Sequence, residues 1–150
     1  MDSRSEDTMI LNGLNPDISS VGEVLEALEM FFHQKKEIDY NDRFNGILFT
    51  NKGPQYLEDF TLKPENLLNA IRLLSSRITS KPNLAGGIFI AATFVSEVFK
   101  RISGKVFRLI VLVDQGTPNI PEEKMRFLED LLEKINDFPF FMDAVCIDTD

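Results

Sequence analysis

The run Val106–Gly116 (VFRLIVLVDQG) constrains the fold of this chain more than any other stretch. Seven of its first eight residues are apolar. A run of that length without polar alternation, closed by Asp-Gln-Gly, reads as a central strand buried on both faces. A carboxylate at the end of such a strand faces the crevice in which open α/β sheets bind their ligands. Asp114 is therefore the leading candidate for a site residue, with Gln115 beside it.

The flanking segments supply the rest of a sheet and its helices. Residues 1–7 read as a disordered polar lead-in, and Thr8–Leu11 as a short first strand ending in the turn cluster Asn15-Pro16-Asp17. A helix follows from Ser19 or Ser20. Ser20 and Glu23 have capping-box spacing, and Val21, Val24, Leu25, Leu28, Phe31 and Phe32 form one apolar stripe. Phe44–Thr50 is a second buried strand. The turn Asn51–Pro54 leads to a third strand over Tyr56–Leu62, which pairs antiparallel with the second because the link is so short.

Pro64 suits the first turn of a helix over Glu65–Ile78. Gly86-Gly87 then leads into a helix apolar over most of its circumference, wet only at Thr93, Ser96, Glu97, Lys100 and Arg101. After the central strand comes an amphipathic helix over Glu122–Asn136, then a last strand over Phe140–Ile147. The order β-α-β-β-α-α-β-α-β predicts one α/β domain over residues 8–150. It is a Rossmann-like three-layer sandwich, mostly parallel, with one antiparallel edge strand.

Composition narrows the function. With 24 acidic against 16 basic residues the net charge is −8, which argues against nucleic acid and against anionic membranes. No apolar run approaches the roughly 20 residues of a membrane span. One cysteine, Cys146, precludes an internal disulfide and is expected to be a small buried hydrophobe. A cytoplasmic protein is the expectation.

Three stretches together resemble the von Willebrand factor A (vWA) domain, in particular its intracellular branch. FNGILFTNKGPQYLEDFTLKPENLLNAI is similar to that family's second strand, antiparallel third strand and following helix. LAGGIFIAATF is similar to its glycine-led buried helix, and RLIVLVDQGTPN to the strand and loop usually written LLTDGxPN. The resemblance implies a vWA-like fold and a site built from a DxSxS motif, a threonine after the paired glycines and an aspartate after the fourth strand. In the family these hard oxygens hold Mg²⁺ with a position open for a partner's carboxylate.

Position by position, Asp114 matches the aspartate, while Ile88 stands at the threonine. A DxSxS register starting at Asn12 puts Leu14 and Pro16 at the serines; one starting at Asp17 keeps Ser19 but puts Val21 at the second. A degenerate, metal-free site is the expectation. The alternative is a Mg²⁺ site using Asp17, Ser19 and Asp114. The family also continues past its fifth strand with a further helix, strand and helix, which this chain is expected to lack.

Other chemistry is thinly represented. His33 has no second His or Cys for company, and Gly104-Lys105 lacks the upstream glycine of a phosphate loop. No catalytic residue and no cofactor are therefore expected. A small nucleotide-binding or enzymatic α/β domain is the reading from another class. The expected function is a protein-interaction or scaffold domain. Its partner-binding crevice is Asp17, Ser19, Ser20, Gly86, Gly87, Asp114 and Gln115. A second interface is expected at Phe138, Phe140, Phe141 and Met142, where a homo-oligomer or larger complex would cover the last strand.

Overall fold

The apolar run forms strand β4 (Val106–Asp114), which lies between β1 (Glu6–Asn12) and β5 (Phe140–Ile147) and runs parallel to both. The structure, a computed structural model, describes residues 5–14, 21–50, 52–56, 59–74, 82–101, 104–114, 119–134 and 140–147. Strand β2 (Arg43–Thr50) pairs parallel with β1, and β3 (Gly53–Tyr56) pairs antiparallel with β2. The sheet order is β3-β2-β1-β4-β5. The helices are α1 (Val21–Ile38), α2 (Pro64–Leu74), α3 (Leu84–Arg101) and α4 (Glu122–Lys134). This is the expected α/β element order with its antiparallel edge, the arrangement that the vWA resemblance implies.

Strand alternation divides the core into two layers. Met9, Leu11, Ile47, Phe49, Phe107, Leu109 and Val111 face α3 and α4; Ile10, Phe44, Leu48 and Leu112 face α1 and α2. Phe44 and Phe107 have no exposed surface, and each such side chain stabilises the fold by roughly 1.5–3 kcal/mol through burial. Two glycines set the helix-to-sheet distance. A β-carbon on Gly46 would lie 2.5 Å from Leu67 of α2, and one on Gly87 would lie 2.5 Å from the Phe49 ring and 2.7 Å from Leu11.

Several expectations are corrected. The third strand is Gly53–Tyr56 rather than Tyr56–Leu62, because Gly53, at φ 106°, turns the chain at once and pairs with Thr50. The apolar alternation further on has another use: Phe60 enters the α3-side core between Phe94 and Phe107, while Thr61 bridges to Phe44. Gly86 and Gly87 lie inside the first turn of α3, not ahead of it. Strand β1 starts at Glu6, within the expected lead-in, because Asp7 is fully buried against Arg43 and Lys105.

The central strand is closed on the α3 side only. On the other side Arg108 and Ile110 are half-exposed, since α1 and α2 lie over the β1–β2 half of the sheet. Cys146, expected to be buried, is exposed on β5, the outermost strand. On α3, Phe89 is 41% exposed and rests against Phe127 of α4. The end of the second predicted helix, through Ile78, and residues 135–136 of the last one lie outside the described residues.

Candidate functional site

The carboxyl ends of β1, β2 and β4 meet the amino end of α3. Register places Asn12 beside Leu48 and Leu112, and the Gly13 N–H donates to the Leu112 carbonyl at 2.8 Å, so the chain leaving β1 passes alongside the end of β4. Gly13 is small for a reason. A β-carbon there would meet Leu84 at 2.8 Å, at the start of α3. Asp114 closes β4 two residues further on and is 5% exposed, engaged by its surroundings.

Among the described residues, three polar side chains around this crevice bond to backbone. The Asn12 Oδ1 accepts from the Leu14 N–H at 3.1 Å, which turns the chain out of β1. The Thr50 hydroxyl donates to the Gly53 carbonyl at 2.9 Å and accepts from the Lys52 N–H at 3.2 Å, closing the hairpin. Asn83 caps α3, its Oδ1 accepting from the Gly86 N–H at 3.1 Å. The paired glycines thus serve helix capping and close packing: Gly86 takes the cap and Gly87 sits against Phe49.

Among the described residues, the oxygen donors for a hard cation at the crevice are few. Ile88, at the family's threonine position, is 6% exposed and packs in the α3-side core. Leu14, where the first DxSxS register needs a serine, is buried in the opposite core with Leu28 and Leu112. Among the described residues no cluster of three His, Cys, Asp or Glu side chains could hold a metal ion. Ile88 and Leu14 thus bring no ligand oxygen to a Mg²⁺ site. Asp17, Ser19, Ser20 and Gln115 lie outside the described residues. His33 is exposed and pairs with Glu37 at 3.2 Å on the outer face of α1.

The strongly coupled charges lie at the opposite end of the sheet, where sequence reasoning placed nothing. Glu6 takes Lys35 at 2.9 Å and Arg108 at 3.0 Å, and Asp42 takes Lys35 at 3.4 Å. Arg43 binds both oxygens of Asp7, Lys105 lies 3.6 Å from the same carboxylate, and Arg108 reaches Asp143 on β5. Burial by itself would raise the Glu6 pKa, but the hydrogen bonds and charges of Lys35 and Arg108 bring it below the usual glutamate value. The Asp7 hydrogen bond raises Arg43, against burial. Four acids and four bases compensate one another here, and only their wide separation in sequence hid the cluster.

The second expected interface is partly described. Phe140 packs at the margin of the α3-side core, whereas Phe141 and Met142 are 51% and 45% exposed; Phe138 lies outside the described residues. A cleft of about 440 Å³ runs between α1 and the open half of the sheet, with Ile10, Ile110, Leu112 and Val145 on its floor and Val24, Ala27 and Phe31 on its wall. No periodicity announces this cleft. It arises because no described helix covers β4 and β5 on that side.

Fold and crevice together define an α/β domain with vWA-like strand order and, at the crevice, one described carboxylate at the end of its central strand. No protein-family model and no curated protein matches the sequence. Among solved structures, the crystal structure of the SpRpn10 VWA domain is similar, at 12% identity and a TM-score of 0.49, over 95% of this chain and 88% of that one. A likeness of that size carries nothing about activity or partners; the architecture rests on the strand order and register above. No helix among the described residues is long and apolar enough to cross a membrane.

Proposed function

We propose that this chain is a non-catalytic protein-interaction domain, working in the cytoplasm, that binds its partner at the crevice without a metal. The observation that carries this reading is Ile88, an apolar core residue at the position where the family's metal chemistry needs an oxygen. Two further features support it. Among the described residues the paired charges Glu6, Asp7, Arg43 and Arg108 form a compensated cluster at the end of the sheet away from the crevice. Among the described residues, the side chains of Asn12, Thr50 and Asn83 at the crevice are engaged by backbone groups, which makes a fixed wall there.

The test uses a photo-cross-linking residue at Asn119, exposed on the loop after β4, and at Glu65, exposed at the other end of the molecule. The reading expects a discrete protein adduct from Asn119 in cells, unchanged by EDTA in lysate, and none from Glu65. Hydrolysis of a nucleotide or ester by the purified chain, lost in Asp114→Asn, would overturn it.

A further inference from the structure

Helix α4 is seated on the fold by Leu128, which is buried, and by Leu131 and Leu132, which are half-buried. Phe127 stands outside that row and is 57% exposed, so the seating of α4 does not require an aromatic there. Its ring lies against Phe89 of α3, with centroids 5.8 Å apart, and Phe89 is itself exposed. The two rings form one apolar patch across the seam between α3 and α4. Thr93, one turn on from Phe89, spends its hydroxyl on the Phe89 carbonyl at 2.8 Å. One turn either way from Phe127 along α4 stand Glu123, Lys124, Asp130 and Leu131. Glu122 is paired with Arg126, and Glu97 of α3 with Lys100, whereas Glu123 and Asp130 have no ion pair among the described residues.

We propose that the Phe89–Phe127 patch is the docking surface for a basic amphipathic helix of a partner protein. Charge selects this occupant. Helix α4 carries five acids against three bases, two carboxylates beside Phe127 are uncompensated, and the chain as a whole stands at −8. A second copy of the chain would set these carboxylates against their like, and an anionic membrane would meet the same repulsion. A cation beside either ring is attracted to the ring face as well as to the acids. The spacing suits a helix. At 1.5 Å per residue, Glu123 and Asp130 lie about 6 and about 4.5 Å along the axis from Phe127, the rises between residues one turn apart on a partner helix. An apolar side chain set against the rings, with Lys or Arg one turn before and after it, meets the patch and both acids. The patch is made by α3 and α4 alone. This inference goes beyond the crevice reading and does not depend on it.

The test is fluorescence anisotropy of a fluorescein-labelled peptide of Leu and Lys at amphipathic helical spacing, titrated with the whole chain. Saturable binding that weakens as salt rises is expected, and an equally charged peptide of Ser and Lys should bind about tenfold more weakly. Phe127→Ser should keep the thermal melt, since the ring is mostly exposed, and weaken the Leu–Lys peptide by about tenfold. Should that variant fail to fold, two double variants decide. Glu123→Gln/Asp130→Gln should weaken binding several-fold. Glu26→Gln/Glu65→Gln, which removes the same charge from exposed sites on α1 and α2, should weaken it far less. No saturable binding overturns the proposal, as does equal binding of the Ser–Lys peptide. So does binding that Phe127→Ser leaves intact, or that the two double variants weaken equally. A chain found dimeric alone by sedimentation, and made monomeric by Phe127→Ser, would give the patch to a second copy and overturn the proposal too.

Discussion

Arg43 and Asp7 stand directly opposite each other in the β1–β2 ladder, joined by Nη2–Oδ2 and Nε–Oδ1 hydrogen bonds of 2.6 and 3.1 Å, with the Asp7 side chain fully buried. A two-bonded guanidinium–carboxylate pair fixes the relative orientation of both planar groups, and the pair pins the register of the two strands. Arg43 also lies over the Phe60 ring at 5.6 Å. Removing one partner of a buried pair leaves a desolvated charge. Arg43→Met should therefore cost about 3 kcal/mol in urea unfolding, even though Lys105 remains near Asp7. A loss under about 1 kcal/mol would mean that the pair is screened like a surface one.

Glu6 makes stability depend on acid. Its folded pKa lies below the ordinary value, so as pH falls the unfolded chain takes up the proton first. The contribution is complete above the unfolded value and is lost as pH falls from there through the folded one. Denaturant titrations between about pH 5 and pH 3 should show a steeper decline for the wild type than for Glu6→Gln. Parallel curves would remove Glu6 from the account.

Gly87→Ala separates packing from ligand binding. Alanine favours a helix by about 1 kcal/mol over glycine, but here its β-carbon meets Phe49 and Leu11 inside 3 Å. A net loss of about 1–2 kcal/mol is expected, with the crevice still able to bind its partner. A gain in stability would show that the ring of Phe49 has room to move.

The parallel core was legible because burial on one or both faces writes itself as apolar runs: β4, β2 and β5 all lie where the runs of Val106–Asp114, Phe44–Thr50 and Phe140–Ile147 put them. The third strand was not, since its residues Gly53–Tyr56 are placed by turn geometry rather than by burial, and alternation at Phe60 served a different layer. At the crevice, Asp114 was legible from its place at a strand end. The cap on Gly86 comes from Asn83, three residues earlier and readable as an N-cap, whereas the packing role of Gly87 depends on Phe49, a neighbour across the fold that leaves no mark on local sequence. The same holds for Glu6 and Arg108, which meet across 102 residues of chain.

The most direct test of the metal-free crevice is a thermal melt of the wild type and Asp114→Ala, each with and without millimolar Mg²⁺. A ligand binding only the folded state at about 100 times its dissociation constant adds roughly 2.7 kcal/mol, readily seen in a melt. The account predicts that Mg²⁺ moves neither protein. An upward shift in the wild type that Asp114→Ala abolishes would contradict it and restore the adhesion-type site.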